Sequence, residues 1–547
     1  MCHLNLLSPT SVSLYWLYGY LAIVSGCVRQ LIVEVEILVL TYIRNVLTAI
    51  QDMNFFDVYK YKTKRKCASG PSPWPILGNL IHIASYDSPY KGFSEMAKKF
   101  GGLYNLSLGM RRCVVVSSMQ LISEVLNSNG KHVGGRPDFI RFNVLFGGNR
   151  SNSLALCDWS QLQQKRRNLA RKYCSPRNGS HFLKSITDVG RFEVHELLFQ
   201  MHRLVGENNE PIILKPLIQR ACANMFSSYM CSTRFDYNDI EFQNIVHCFD
   251  EIFWEINQGY IIDFLPWLGP LYYNHLKKII KWSEEIRTFI LKRIILKKEN
   301  NIKSSVTDND FAEAILKSLS ADEGITRENV IYMLEDFIGG HSAIGNLIML
   351  TLAYIVKNPE IGKNIQTEID NTLDNCPRLI TQKDASAMPY TMSTIYEVLR
   401  FSSSPIVPHV TTADIEIGGY DVPKGTIVFL NNYDLNTNPI YWNNPEEFDP
   451  KRFIVSEGTK SNLNASNNET ERIRTSIPHF LPFSVGKRTC IGQSLVKGFC
   501  FIIIANIMNT FNVSSNDVSQ IKTYPACIAL PVDTFSLTVT PRNPTVM

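Results

Sequence analysis

A single cysteine near the C-terminus constrains this chain more than any other residue. Cys490 follows Phe483, Gly486 and Arg488 and precedes Gly492, with the spacing F-x-x-G-x-R-x-C-x-G. Glycine at 486 permits a tight backbone turn, and N–H groups at the start of a following helix would stabilise an anionic sulfur. The pattern predicts a loop that offers one thiolate to a metal and then turns into a helix. The alternative is a structural cysteine in a glycine-containing turn, since free cysteine is commonly buried.

The length and composition of the chain indicate one large folded unit. Its 547 residues are 45% hydrophobic, which is enough to bury a large core, and no repeat or internal Gly/Ser linker divides it after residue 70. The net charge of +5 is too modest to indicate nucleic-acid binding, which needs a concentrated basic stripe. Thirteen cysteines without paired spacing fit a reducing compartment better than a disulfide framework.

The N-terminal region has the character of a membrane anchor. Residues 1–28 contain no Asp, Glu, Lys or Arg, and the run 11–28 is about as long as the shortest membrane span. A basic segment at 60–66 predicts that the rest of the chain stays on the cytoplasmic side. A cleaved signal peptide and an ordinary structural helix are alternatives, although no positive region precedes the apolar run. We therefore expect three parts: a hydrophobic anchor region over 1–45, a basic and proline-rich linker over 46–78, and one folded domain over 79–547.

A long apolar helix is predicted between residues 326 and 358. Thr326 can cap its first turn, and Asn358 before a proline ends it. Some thirty residues rise about 45 Å, enough to cross a whole domain, and apolar side chains on most faces indicate burial. Two adjacent glycines, Gly339 and Gly340, stand in its middle, where each costs about 1 kcal/mol relative to alanine. Close helix packing would account for them, and so would a close approach to a bound group.

Glu397 and Arg400 lie one helical turn apart, on the same face of another predicted helix. This spacing proves nothing alone, but here it follows the long helix and precedes Pro450–Phe453, which reads P-x-R-F. The order of proline-rich connector, Gly-Gly helix, E-x-x-R, P-x-R-F and cysteine loop resembles the cytochrome P450 family over about residues 70–545. The resemblance implies a mainly α-helical cytochrome P450 fold with a small β-sheet subdomain, behind an N-terminal membrane anchor.

The resemblance also assigns roles to the residues around a haem b cofactor. Cys490 would be the axial ligand of the haem iron, Phe483 would cover its sulfur, and Gly492 would let the chain pass close to the porphyrin. Four side chains would meet the haem propionates: Arg488, His409, Trp159 and Arg166. A lone histidine is as often a satisfied structural residue, so the role of His409 stays open.

The assignment of Arg166 depends on a departure from the family pattern W-x-x-x-R. Gln163 stands where the arginine is expected, and Arg166 follows seven residues after Trp159 in a predicted basic helix over 159–172. A shifted helix register would bring Arg166 to the haem. The alternative is a solvated basic face that docks a partner.

By the same resemblance, Arg452 of the P-x-R-F element joins Glu397 and Arg400 in a buried charge network. Such a network must be fully paired, because loss of one partner costs about 3–5 kcal/mol. Its expected role is to hold the cysteine loop in place, without taking part in the chemistry.

Family resemblance further implies partners and a location. Electrons would come from NADPH through NADPH–cytochrome P450 reductase, with cytochrome b5 as a further partner. Membrane lipid would surround the anchor, and a monomer would sit in the endoplasmic reticulum membrane (microsomes) with its catalytic domain facing the cytosol.

Shorter segments complete the prediction. Residues 103–109 and 112–116 read as a β-hairpin, and 415–420 and 426–430 read as two strands on either side of a turn at Pro423. Residues 456–476 are rich in Ser, Asn, Thr and charge and are expected to form a disordered insertion.

Three segments resemble the Spook/Spookier family of insect enzymes: 153–168, 335–343 and 479–484. Those enzymes act in ecdysteroid hormone synthesis, on the early conversion of 7-dehydrocholesterol. The resemblance implies a sterol substrate for this chain. No residue of the sequence shows one by itself.

The long helix departs from the usual pattern at the position of the oxygen chemistry. Most monooxygenases of this class carry (A/G)-G-x-(D/E)-T, whereas Gly339-Gly340 is followed here by His341, Ser342 and Ala343. An alanine methyl cannot hold a proton-relay water. Either oxygen is still cleaved, with Ser342, His341, substrate hydroxyls or waters relaying protons, or the enzyme isomerises or dehydrates an oxygenated sterol. A protein that only binds haem or a sterol is a third possibility, and it would form no product.

Overall fold

The structure is a computed structural model. It describes residues 66–176, 179–205, 210–301, 310–321, 326–374, 376–402, 407–458, 469–474, 476–524 and 526–542. The predicted anchor and the first part of the predicted linker, residues 1–65, lie outside the described residues.

Helices make up most of the described chain, and several begin at a Ser, Thr or Asp whose side chain accepts a hydrogen bond from the first turn. The predicted mainly α-helical class is therefore confirmed. The helices are α1 (Leu80–Ala84), α2 (Pro89–Phe100), α3 (Met119–Ser123), α4 (Ile140–Leu145), α5 (Gln161–Cys174), α6 (His181–Leu204), α7 (Lys215–Cys231), α8 (Ile240–Asn257), α9 (Tyr273–Phe289), α10 (Leu296–Asn301), α11 (Phe311–Ala321), α12 (Arg327–Lys357), α13 (Pro359–Leu373), α14 (Pro389–Ser402), α15 (Asn432–Thr437) and α16 (Gln493–Thr510).

The strands form small sheets at the periphery of the helical body. They are β1 (Leu103–Leu108), β2 (Arg111–Val116), β3 (His409–Val410), β4 (Ile415–Ile417), β5 (Tyr420–Val422), β6 (Ile427–Leu430), β7 (Ile454–Gly458), β8 (Glu469–Ile473), β9 (Phe511–Ser514) and β10 (Thr538–Pro541). The largest sheet has the order β1-β2-β6-β3. Strands β1 and β2 confirm the predicted hairpin, and β2 pairs in parallel with β6.

The region after β3 differs from the predicted pair of strands. Residues 415–420 do not form one strand, because β4 turns back on β5 through Gly418 and Gly419, with φ of +56° and +78°. Two adjacent residues with positive φ are the geometry of a two-residue hairpin. Strand β6 then leaves this hairpin and joins the larger sheet.

Residues 456–476, predicted to be disordered, include paired backbone. Strands β7 and β8 form an antiparallel ladder in register from Ile454–Ile473 to Gly458–Glu469. Ladder hydrogen bonds satisfy the backbone polar groups without an apolar core, which is why the composition did not reveal them. Residues 459–468 and 475 lie outside the described residues.

Helix α12 is the central element of the core and confirms its predicted bounds. The Thr326 hydroxyl accepts from the Asn329 N–H at 3.2 Å, and the Asn329 side chain accepts from the Thr326 N–H at 3.2 Å. Helices α7, α8 and α16 pack around it. Within the described residues, it is also the one helix long and apolar enough to cross a membrane, but most of that stretch is buried inside the protein. It is therefore a core helix.

The predicted charge network is present on α14. Arg400 donates from Nε and Nη2 to the two carboxylate oxygens of Glu397, both at 2.8 Å, and Arg452 Nε donates to Glu397 Oε1 at 3.0 Å. Glu397 and Arg400 are essentially inaccessible to solvent. The remaining guanidinium donors reach backbone carbonyls of Asn436, Glu447 and neighbouring residues. The network is thus fully paired and ties α14 to the chain that leads into the cysteine loop.

Replacing Glu397 by Gln should destabilise the protein strongly, because two guanidinium groups would lose their counter-charge in the interior. We expect the free energy of unfolding, measured by denaturant titration, to fall by about 3–5 kcal/mol. The control is Glu360→Gln, which breaks an ion pair of the same i,i+3 spacing with Lys363 at the surface. It should change stability little, and equal effects of the two substitutions would contradict the assignment.

Candidate haem-thiolate site

The cysteine loop places Cys490 just before helix α16. The Cys490 N–H donates to the Phe483 carbonyl at 2.8 Å and closes the loop on itself. Gly486 has φ +74°, and a Cβ there would lie 2.5 Å from the Leu126 carbonyl oxygen. Both its conformation and its surroundings therefore require glycine.

The Cys490 sulfur lines a cleft inside the protein. Its side chain is accessible to solvent, yet protein atoms surround it closely enough that burial raises the pKa of the thiol, against the Gly492 N–H and the charge of Arg167. Apart from the residues adjacent to Gly492 in the chain, the Cys490 sulfur is the one atom of the described residues within 4 Å of a Cβ built on Gly492, at 3.9 Å, so that side is sparsely packed. A metal cation bound to this sulfur would favour the thiolate form.

Two guanidinium groups and one imidazole are buried beside this loop, and two of the three have a nitrogen without a hydrogen-bond partner. Arg488 donates to the carbonyl oxygens of Gly134 and Cys157, both at 2.5 Å, while its Nη1 is buried without a partner. Arg136 donates to the Val407 carbonyl at 2.7 Å. Across the described residues, neither guanidinium forms an ion pair with a carboxylate.

His409 belongs to the same group. Its Nδ1 lies 2.8 Å from the Val133 carbonyl oxygen, and its Nε2 is buried without a partner. Burial, with the charges of Arg136 and Arg488, lowers the pKa of His409 to about 3. Burial and the charge of Arg488 likewise lower the pKa of Arg136 to about 9. We call Arg136, Arg488 and His409 the cationic cradle, after the charge of its two arginines; His409 itself is neutral at pH 7.

A buried positive charge without an anion is costly, so the cationic cradle requires a negatively charged partner. The two propionate groups of haem b would supply it, next to a cysteine positioned to bind the iron. Trp159 borders the cradle, with its ring centroid 5.6 Å from the Arg488 guanidinium. Gly134 is packed so tightly that a Cβ there would lie 2.6 Å from the Trp159 Cβ. The residues present therefore fit a haem.

Comparison with known proteins gives the same answer. The sequence profile described as Cytochrome P450 matches residues 68–539. The chain belongs to the cytochrome P450 family. Cytochrome P450 307a1 of Drosophila melanogaster is 54% identical over 514 residues, covering 91% of this chain and 94% of the relative. Cytochrome P450 1B1 of Rattus norvegicus is 28% identical, covering 82% of each chain. Steroid 17-alpha-hydroxylase/17,20 lyase of Rana dybowskii is 27% identical, covering 80% of this chain and 83% of the relative. This cytochrome P450 is therefore a haem-thiolate monooxygenase.

The middle of helix α12 in this cytochrome P450 is buried except along one face, which is partly exposed. Asp336, Gly339, Gly340 and Ala343 recur at intervals of three or four residues, and each retains some solvent accessibility. The glycines are closely packed on either side of this face: a Cβ at Gly339 would lie 3.1 Å from Phe249, and one at Gly340 would lie 3.4 Å from Phe226. The two glycines thus let Phe249 and Phe226 pack close to the helix backbone. We call the four partly accessible positions the open face.

His341 and Ser342 point away from that face. Both are fully buried, and the His341 ring packs edge to face against Phe249 with Nδ1 2.5 Å from the Ile338 carbonyl oxygen. Burial lowers the pKa of His341 to about 4, so the ring is neutral at pH 7. The structure thus places neither residue on the open face as a proton relay.

Asp336 is the one acidic side chain on the open face. Its carboxylate accepts from the Ser153 hydroxyl at 3.2 Å and from the Leu154 N–H. Burial raises the pKa of Asp336 to about 7. The carboxylate therefore ties α12 to the loop before α5.

The structure places two further arginines, Arg136 and Arg167, near the cysteine loop, which the sequence alone did not indicate. Arg136 follows Gly134-Gly135, a glycine pair that could have signalled close packing. Arg167 donates to the Thr489 carbonyl, beside Cys490. Arg166 lies on the same helix as Arg167. Burial lowers the pKa of Arg166, and the charges that oppose this shift belong to Cys157 and Asp336, which are not part of the cationic cradle.

Gln163 is buried and donates to the Leu154 carbonyl. It is a neutral group at the position where the family pattern expects an arginine. Helix α5 begins after a Ser160 cap, so Trp159 precedes it.

Replacing Cys490 by Ala should remove the carbon-monoxide difference spectrum of a thiolate-ligated haem, because no other side chain in the loop can ligate iron as an anion. The protein should remain folded by circular dichroism. Cys376→Ala, at an exposed cysteine, should leave the spectrum unchanged. A thiolate spectrum that survives Cys490→Ala would show that the ligand is another residue.

Replacing Arg136 by Met should weaken haem retention roughly ten- to hundredfold, since a hydrogen bond to a charged group contributes about 1.5–3 kcal/mol. The rate of haem transfer to apomyoglobin measures this. Arg150 is the matched control, because it lies in the following loop and pairs with Asp158 at 2.9 Å instead of joining the cradle. If Arg150→Met released haem as fast as Arg136→Met, the cradle would not be the propionate site.

Proposed function

We propose that this cytochrome P450 oxidises a sterol precursor in ecdysteroid hormone biosynthesis, at the early steps from 7-dehydrocholesterol. The similarity to the Drosophila relative over nearly its full length carries the proposal, together with the resemblance of residues 153–168, 335–343 and 479–484 to the Spook/Spookier enzymes. The steroid hydroxylase among the relatives supports a substrate with a steroid skeleton.

Each part of the site has a defined task in this proposal. Bound haem b would supply the activation of dioxygen. Cys490 would hold the iron as a thiolate, with the Gly492 N–H and the Arg167 charge favouring the anion. The cationic cradle would neutralise the propionates and fix the orientation of the porphyrin plane. The open face of α12 would leave room for dioxygen and substrate and, where it is apolar, exclude water.

Electrons would come from NADPH through NADPH–cytochrome P450 reductase, with cytochrome b5 as a second electron donor. Exposed basic side chains near the cysteine loop support docking of acidic partners: Lys165, Arg171, Lys172 and Lys487. They lie on α5 and beside Cys490, so a partner bound there would approach the thiolate side of the haem.

The enzyme would sit as a monomer in the endoplasmic reticulum membrane with its catalytic domain in the cytosol. Large apolar side chains are exposed on neighbouring segments of the described chain: Trp74, Ile81, Met110, Leu271 and Tyr273. Gly109 connects these segments, because its N–H donates to the Leu77 carbonyl and a Cβ built on it would lie 2.6 Å from the Phe264 carbonyl oxygen. An exposed apolar surface of this kind supports contact with membrane lipid.

A second candidate function is isomerisation or dehydration of an oxygenated sterol without dioxygen activation. The observation in its favour is that Ala343 has no hydroxyl and that Ser342 is turned into the core. Such an enzyme would turn over without a reductase.

Labelled dioxygen distinguishes the two functions. Membrane-expressed protein would be incubated with a reductase, NADPH, 7-dehydrocholesterol and ¹⁸O₂, and the products analysed by mass spectrometry. Monooxygenation requires ¹⁸O in the product and no product without the reductase. Product that forms without label and without reductase would establish the isomerase or dehydratase, and the Cys490→Ala variant controls for background enzymes.

A further inference from the structure

Helix α5 carries a glutamine where the family pattern has an arginine, and two arginines follow about one turn later. Gln163 is 1% exposed and donates to the Leu154 carbonyl, so it supplies no charge. Arg166 and Arg167 lie three and four residues further along the helix, which places both on the same side as Gln163. The sequence does not distinguish these two arginines, but their contacts do.

Arg167 contacts the backbone of the cysteine loop. Its Nη2 donates to the carbonyl of Thr489, which belongs to the peptide group that joins Thr489 to Cys490. The Arg166 guanidinium instead donates to the Ser151 carbonyl at 3.5 Å, in the loop before α5. Helix α5 also packs against α16, which follows the cysteine loop. The Arg167 guanidinium is therefore held one peptide group from the proposed iron ligand.

The charge of Arg167 is buried without an anion supplied by a carboxylate. The residue is 6% exposed, its Nε has no hydrogen-bond partner, and no carboxylate of the described residues pairs with it. Arg488 and Arg171 are close enough to influence it, and both are cations. A guanidinium does not lose its proton in a protein, so this charge requires an anion nearby. A thiolate at Cys490 would be that anion.

The position of the arginine along α5 determines which anion it can serve. Gln163 contacts Leu154, next to Ala155, whose carbonyl accepts from Arg136 of the cationic cradle at 3.2 Å. A cation at position 163 would therefore join the propionate side, where Arg136 and Arg488 already supply two charges. One turn later, the charge lies beside the cysteine loop instead.

We propose that Arg167 raises the reduction potential of the haem iron through its cysteine ligand. The inference rests on the haem-thiolate site and not on the identity of the substrate. In the step concerned, one electron from the reductase converts ferric to ferrous iron, and no proton or atom is transferred. The added negative charge is stabilised by a fixed positive charge beside the sulfur. Arg167 does not touch the reacting atoms, so it is a positioning residue that acts through Cys490.

Arg167→Gln removes the charge and keeps a side-chain N–H donor. Spectroelectrochemical titration of the purified, substrate-free holoenzyme measures the midpoint potential of the ferric/ferrous couple. We expect the equilibrium constant for reduction to fall about tenfold, which is about 59 mV for a one-electron couple. Arg167→Lys keeps the charge and should retain most of the wild-type potential.

Arg166→Gln is the matched control. It removes the same charge from the neighbouring residue of α5, which is equally buried at 5% exposure but does not contact the cysteine loop. Its potential should stay close to that of the wild type. A general effect of net charge would instead shift both variants alike.

The infrared band of carbon monoxide bound to the ferrous protein gives an independent readout. Without the Arg167 charge, the sulfur donates more electron density to the iron, which weakens the C–O bond. The stretching frequency should therefore be lower in Arg167→Gln than in the wild type, and unchanged in Arg166→Gln. A purely structural role would lower the amount of thiolate-ligated haem without shifting the band or the potential of the remainder.

An unchanged potential in Arg167→Gln, or equal shifts in Arg166→Gln and Arg167→Gln, would overturn the inference. Loss of the thiolate spectrum from both Arg167→Gln and Arg167→Met would assign Arg167 a structural role and would overturn it as well. No substrate is present in either measurement. Absence of product from 7-dehydrocholesterol would therefore overturn the proposed function alone.

Discussion

Positive charge buried without a protein anion is the interaction on which the rest of the structure depends. Arg136 and Arg488 come from segments far apart in the sequence and are buried beside the neutral ring of His409. The convergence of the two guanidinium charges is unfavourable unless an anion lies near them. A cofactor that carries carboxylates and a thiolate-binding metal would both neutralise these charges and hold Cys490 as an anion. Ligand binding of this kind stabilises the native state by mass action, so cofactor uptake and the final packing of these loops are coupled. The Glu397 network differs, because a carboxylate of the chain itself pairs with both of its guanidinium groups.

The features that the sequence predicted correctly are those determined locally. The ends of α12 follow from Thr326 and from Asn358 before a proline, whose effects act within one helical turn. The turn at Gly486 likewise follows from the conformational freedom of one residue. The Glu397 network was predictable because its three members stand in a recognisable order along the chain.

The features that the sequence did not predict depend on tertiary contacts. The glycine pair before Arg136 indicates close packing but not its partner, and nothing near Arg167 in the sequence distinguishes it from Arg166, which is equally basic. The β4–β5 hairpin was missed because strand pairing depends on which partner a strand meets, and the pattern of residues 415–430 suits more than one partner. The direction of Ser342 was equally hidden, since a helical position shows its surroundings only after its neighbours are packed.

Two sides of helix α12 have different neighbours. Three of the four residues on its open face are Gly339, Gly340 and Ala343, whose small size would let a planar group and a substrate approach the backbone closely. Its opposite side carries polar contacts to α7 and α8, where Gly345 admits Gln219 against the helix. Glycines on both sides lower the intrinsic stability of the helix. Packing against α7, α8 and α16 offsets this loss.

The parallel pairing of β2 with β6 has a consequence for biosynthesis. Cys113 pairs with Ile427, about 310 residues later, so the central sheet remains incomplete until most of the polypeptide has left the ribosome. During that interval the apolar strand Cys113–Val116 has an unpaired edge, which is a site for non-native association. We therefore expect the newly made chain to expose this edge for longer than a protein whose sheets close between neighbouring segments.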